Sequence, residues 1–225
     1  MILDDLNSKK RYVLSIASFT LQSIIGLFMG HHFDMQIFYV AGNAVSNGFA
    51  PYGIFYPSLI FNSPNFFERI SGIGYPPPWG FFLGLVYMFV YEPTKNIYAY
   101  NLAIKIPSIL SNIALAFIVE RIAIQEGLRK TTTSRIFLFF LFNPLTIYIS
   151  AIWGQFDSLV ILTCILGLIL LTNEKIILSS LLFAVSVSLK IIPFVLLPAM
   201  LLFIKRNYGL KQISEFILPF SIFSL

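Results

Sequence analysis

Apolar residues in this chain fall in long runs, and polar residues gather in short breaks between them. The first run, 12–33, is uncharged and follows Lys9, Lys10 and Arg11. It is long enough to cross a bilayer and lacks a small-residue cleavage site, so it reads as a retained signal anchor. The basic flank puts the N-terminus in the cytoplasm and residue 30 onward outside. Further runs cover 75–91, opening on Pro76-Pro77-Pro78, and 97–119, broken by Lys105 and Pro107. Prolines suit a helix's first turn, where the missing N–H has no partner to lose. Then follow 136–156 with Asn143-Pro144 inside, 158–172, and 176–204, interrupted by Lys190 and Pro193. A last apolar run holds Leu225.

Residues 31–76 break the pattern, with Asp34, Asn43, Pro51, Pro57, Pro64, Glu68 and many aromatics. Loops of this length are usually functional or disordered, and the aromatic content reads as one long outer loop packed at the membrane surface. The stretch from Asp34 to Val45 predicts a helix: Ile37, Phe38, Ala41, Ala44 and Val45 share a face, and Asp34 suits its N-cap. Such a helix lies along the interface. The predicted fold class is therefore all-α, a polytopic transmembrane helix bundle with one long outer loop carrying an interfacial amphipathic helix. Residues 1–225 are expected to form a single transmembrane domain.

Composition sharpens this. Of 225 residues, 57% are hydrophobic and 11% charged, against about 25% charged in soluble domains. That excludes most water-soluble enzymes and all disordered classes. At about 20 residues per span plus loops, the length holds roughly six to eight spans. The net charge of +5 sits in clusters between apolar runs, which is the positive-inside habit and not a nucleic-acid footprint. The lone Cys164 excludes an intrachain disulfide and a cysteine metal site. One conflict stands: strict alternation puts the basic stretch 120–135 outside, whereas its charge wants it inside. An incomplete crossing by 77–91 removes the conflict. Likewise, 176–189 and 191–204 read as two half-helices meeting at Lys190.

Ionisable groups beside membrane spans are costly and therefore functional candidates. Asp34 is either a helix cap or a general base. Asp157, in Trp153-Gly154-Gln155-Phe156-Asp157-Ser158, is either a cap or part of a polar site at the membrane boundary. Lys190, beside Pro193, either snorkels or meets a lipid phosphate. Lys105, beside Pro107, follows the same logic. His31 and His32 precede Asp34, but adjacent histidines point to different helix faces, so a metal site there is a weak reading. No phosphate-cradling glycine loop is present.

Three stretches together carry a resemblance. Phe33-Asp34-Met35-Gln36-Ile37-Phe38-Tyr39, with Gly48-Phe49-Ala50-Pro51-Tyr52 and Tyr75-Pro76-Pro77, resembles the first outer loop of GT-C superfamily membrane glycosyltransferases. Asn143-Pro144-Leu145 with Trp153-Gly154-Gln155-Phe156-Asp157-Ser158-Leu159 is similar to an intramembrane motif of the same families. Ser188-Leu189-Lys190-Ile191-Ile192-Pro193 is similar to a third. The resemblance covers about 10–206. It implies transfer of a hexose, mannose or glucose, from a polyprenyl-phosphate donor such as a dolichyl phosphate to a glycan, lipid or protein acceptor. The anomeric centre would be inverted, on the outer or lumenal face of a plasma or endoplasmic-reticulum-type membrane. Asp34 would be the catalytic carboxylate. Gln155 and Asp157 would line the cavity, Lys190 and Lys105 would hold the donor phosphate, and Tyr75 would shape the cavity mouth. Many relatives need a divalent metal ion, so that cofactor is left open, with its ligands unknown.

Two departures qualify the resemblance. Relatives have more spans, so the chain reads as the N-terminal part of a larger module. The second acidic residue many relatives carry after the first is replaced by Met35. A small transporter or a non-catalytic subunit or remnant are the competing classes.

Overall fold

The computed structural model describes residues 8–55 and 69–223; the outer-loop residues 56–68, with Pro57, Pro64 and Glu68, lie outside that range. The first helix, α1, is Ser8–Phe28, and α2 is His32–Ser46. A two-residue antiparallel pair, β1 (Ile54–Phe55) with β2 (Ile70–Ser71), closes the base of the outer loop. Helix α3 begins at Pro77 and runs α-helical to Val86, then as a π-helical turn over Tyr87–Tyr91. Helix α4 is Ile97–Gln125 and α5 is Lys130–Leu141. A short α6, Pro144–Ile147, passes into a π-helical turn, Tyr148–Trp153. Helices α7 (Asp157–Thr172) and α8 (Ile176–Leu189) follow, then a 3₁₀ turn at Ile192–Leu196, α9 (Leu197–Asn207) and α10 (Leu210–Phe223). Among the described residues three helical stretches are long and apolar enough to cross a membrane: Ser8–Phe28, Ile97–Gln125 and Lys130–Trp153. The chain is an all-α membrane helix bundle.

The chain forms two compact units. One holds the segments Met1–Ile73 and Phe82–Ser158, the other Gly74–Phe81 and Leu159–Leu225. In the first, α1 and α4 are antiparallel, because they are joined at both ends. At one end Arg11 donates through Nε and Nη2 to Glu120 at 2.8–3.0 Å, with Glu120 buried. At the other, Asn101 Nδ2 donates to the carbonyls of Gly26 and Met29, both at 2.9 Å. The chain between them therefore leaves and returns at one end of the pair. The basic residues of 121–135 then share an end with Lys9, Lys10 and Arg11, and the conflict between alternation and charge disappears.

Midway, polar side chains join the helices. Asn112 Nδ2 donates to Gln22 Oε1 at 2.9 Å and Ser150 Oγ at 2.7 Å, and Gln22 Nε2 donates to Ser18 Oγ at 3.0 Å. In an apolar solvent such bonds are the specific adhesive between helices, since apolar contact alone distinguishes poorly between protein and lipid. Below them Ala116, Phe137 and Leu141 form a small dry core.

Helix α4 runs unbroken through Lys105 and Pro107, against the expected interruption. A proline deletes one backbone bond, and here 29 residues of otherwise continuous helix pack around it. Helix α2 appears where the pattern placed one, with its buried side wider than one face: Met35, Gln36, Tyr39 and Gly42 are buried as well as Phe38 and Ala41. Gly42 is required there. A Cβ on it would lie 2.3 Å from the Tyr100 hydroxyl, which donates to Phe38 O at 3.0 Å.

The second unit packs α8 against α10 through Phe183, Phe216 and Phe220. Its helices are tied by serines to backbone carbonyls: Ser179 to Gly167 at 2.7 Å, and Ser186 to Val160 at 2.8 Å. Helix α8 stops at Lys190, whose backbone is extended (φ −153°, ψ 131°). That is the break expected at this position.

Candidate functional site

Asp34 lies in the first turn of α2 and does not cap it. The cap is His31, whose Nδ1 accepts weakly from the Asp34 N–H at 3.4 Å. The carboxylate is directed elsewhere. Its Oδ2 accepts from Gln155 Nε2 at 2.8 Å and from the Trp153 indole Nε1. His31 Nδ1 is 3.6 Å from the same oxygen. The His31 ring also packs on Trp153, with centroids 5.3 Å apart. Among the described residues nothing donates to Oδ1. Asp34 is thus held by one oxygen with the other left open, its side chain 19% exposed.

Two donors two positions apart reach one oxygen because the chain turns sharply between them. The π-helical turn ends at Trp153, and Gly154 sits at φ +88°. A Cβ there would lie 2.5 Å from Met35 Cε and 3.0 Å from Lys105 Cε. Only glycine adopts this backbone freely and leaves that space. Gln155 is buried, and its carbonyl accepts from Ser108 Oγ of α4 at 3.1 Å. The motif is therefore braced from behind by α4 and presents its side chains to α2. Met35, the residue after Asp34, is buried against Gly154. An unpaired carboxylate would be costly in that position.

Lys105 is fully buried, and its ammonium donates to the carbonyls of Gly26, at 3.1 Å, and Met29. Those carbonyls end α1, where the helix dipole is negative and the last C=O groups lack helical partners. With Asn101 one turn away, Lys105 caps α1 from the side. Its donors serve backbone rather than open space.

Asp157 begins α7 three residues past Gly154, half-buried. In the other unit Lys190 lies over the Tyr75 ring, its Nζ 5.6 Å from the centroid. The predicted site residues therefore gather in two groups: Asp34 with Gln155 in the first unit, and Lys190 with Tyr75 in the second. Trp153 and Ser108 join the first group without having been singled out, and His31, weighed in the sequence only as a weak metal ligand, joins it as the cap of α2. Trp153 stood in the quoted motif, but an indole in an apolar run gives no separate signal. Among the described residues no group of three His, Cys, Asp or Glu is placed to hold a metal ion. His32 pairs instead with Gln36, at 2.9 Å between His32 Nε2 and Gln36 Nε2.

Residues 34–206 match the model of a family described as alpha-(1->6)-mannopyranosyltransferase, N-terminal domain, the MptA_B family. The chain belongs to that family. The matched span opens at Asp34 and contains Lys105, Trp153, Gln155, Asp157 and Lys190. This MptA_B-family chain is accordingly a membrane protein of a glycosyltransferase family. No curated protein and no solved structure matches it.

Proposed function

We propose that the chain carries the catalytic carboxylate of a mannosyltransferase that uses a polyprenyl-phosphate-linked sugar. The observation that carries this reading is Asp34, pinned at Oδ2 by Trp153 and Gln155 and open at Oδ1. An acceptor hydroxyl attacks the anomeric carbon as the bond to the phosphate oxygen breaks. Asp34 Oδ1 takes the hydroxyl proton, and the departing phosphate leaves with the bonding electron pair. One general base suffices for such a single displacement, and it turns a β-linked donor into an α-linked product. The family name supports mannose and an α-(1→6) linkage. For Lys190, at the helix break beside Tyr75 in the second unit, the proposed role is to bind a donor phosphate as a point charge.

Sidedness follows from charge. The Arg11–Glu120 end of the α1–α4 pair is the basic end, and Asp34 follows the opposite end of α1. With basic residues toward the cytoplasm, the carboxylate works on the outer face. The assay is transfer of labelled mannose from polyprenyl-phosphate-mannose to a mannan oligosaccharide in membranes carrying the protein. Loss of about 10³-fold in Asp34→Asn is expected for a missing base. Full activity in that variant removes Asp34 from the role.

A further inference from the structure

His31 takes no part in the displacement proposed above, yet its ring stands beside the carboxylate. Its Nδ1 lies 3.4 Å from the Asp34 backbone nitrogen and 3.6 Å from Asp34 Oδ2. One nitrogen thus meets both a donor and an acceptor of a single residue. It accepts from the first or donates to the second, never both, because an imidazole nitrogen carries either a lone pair or a proton.

The neutral ring does the first. Nδ1 accepts from the Asp34 N–H and caps α2, which puts the ring proton on Nε2. A lone pair then faces Oδ2, and the donors to that oxygen are Trp153 and Gln155. The protonated ring does the second. Its Nδ1–H no longer accepts, the cap is lost, and the proton turns to Oδ2 as a third and charged donor. A cation at 3.6 Å favours the ionised carboxylate and so makes it a weaker base. Trp153 favours the same state, since the ring centroids are 5.3 Å apart and a cation is drawn to an indole within about 6 Å.

The surroundings add little to this pair. Among the described residues Asp34 is the titratable group that faces the ring from α2. The π-helical turn offers Trp153, with Tyr148 packed on that indole at 6.1 Å. Lys105 of α4 spends its ammonium on the carbonyls of Gly26 and Met29. The His31 side chain is 44% exposed against 19% for Asp34, so solvent protons reach the ring directly.

We infer that His31 is a positioning residue with two settings: neutral, it holds Asp34 by its backbone and leaves the carboxylate free as a base; protonated, it pairs with the carboxylate and silences it. Histidine changes charge between about pH 5 and 8, so the site shuts down as the pH falls through that range. The inference rests on Asp34 being the base, as proposed above.

The test is the pH profile of mannosyl transfer by the full chain in phosphatidylcholine nanodiscs, at saturating donor. In wild type kcat should be about tenfold lower at about pH 5.5 than at about pH 8. In His31→Asn and His31→Ser, whose side chains cap helices and do not titrate, the ratio should approach one. The donor phosphate ionises alike in all three, so a fall that it causes survives the substitutions. His31→Ala should lose the acid fall too, with a lower unfolding midpoint than His31→Asn because its cap is gone. A second reading needs no turnover: an imidazolium quenches an adjacent indole, so tryptophan fluorescence should fall with pH in wild type and not in His31→Asn. An acid fall of equal size in His31→Asn and His31→Ser overturns the inference and leaves Asp34 as the base, and a flat wild-type profile does the same. Full activity in Asp34→Asn is a different failure, which removes the base itself and this control with it.

Discussion

Gly154→Ala separates the positioning of Asp34 from the carboxylate itself. The substitution adds one methyl group at a residue that touches no substrate in the reading above. Its backbone sits at φ +88°, where an L side chain costs about 1–2 kcal/mol. The methyl also meets Met35 Cε at 2.5 Å and Lys105 Cε at 3.0 Å. The Met35 terminus can swing aside, but Lys105 is tied to α1 by its ammonium. Overpacking of this kind adds about 1–3 kcal/mol. The low-energy escape is to move the Trp153–Gln155 turn away from α2, which withdraws both donors from Asp34. A shift of about 1 Å in a catalytic group costs on the order of 100-fold, so kcat in the mannosyl-transfer assay should fall by about that factor. Gly48→Ala is the control. It sits at φ +80° with nothing within 4 Å, so it carries the backbone strain without the collision. Thermal unfolding of both variants in detergent reports strain and fold together. If Gly154→Ala keeps kcat within twofold of Gly48→Ala, the turn does not position the carboxylate and the reasoning fails.

Gln155→Leu removes one charge-assisted bond to Asp34, worth about 1.5–3 kcal/mol, and should lower kcat roughly 10- to 100-fold with little change in donor KM; the reverse split would make Gln155 a substrate ligand instead. Lys105→Met strips a donor from the carbonyls of Gly26 and Met29 and should destabilise the chain by about 1–3 kcal/mol, seen as a lower unfolding midpoint in detergent. A Lys105→Met variant that is fully stable but has a raised donor KM would return Lys105 to phosphate binding. Lys190→Gln should raise donor KM and lower kcat, and Tyr75→Phe, which keeps the ring under the ammonium, should change neither.

Where apolar residues decide the outcome, the sequence was readable. The run at 12–33 holds most of α1 but also takes in the break at 29–31 and the start of α2, the run at 97–119 is most of α4, and the helix expected from Asp34 to Val45 is α2 with two residues added before it and one after. Where single polar groups choose between partners, it was not. Asp34 has the residue type of a cap, and only the fold brings Trp153 and Gln155 to it across more than a hundred positions. Lys105 carried the pattern of a phosphate ligand until the end of α1 was placed beside it. One clue was present unread. Asn101, Lys105, Ser108 and Asn112 recur at four-, three- and four-residue steps, the spacing of a single helix face. Asn101 and Lys105 both reach the end of α1, Ser108 the carbonyl of Gln155, and Asn112 the Gln22–Ser150 pair.

That stripe bears on how the chain enters a bilayer during synthesis. Alone, α4 would offer lipid a lysine costing about 2.5–3.5 kcal/mol at depth, together with two amides. Helix α1 emerges from the ribosome first and ends in carbonyls that want those same donors. Neither helix is well suited to lipid by itself, and their polar surfaces cancel on contact. Membrane integration of α4 is therefore a pairing step, in which α1, made before it, serves as its receptor.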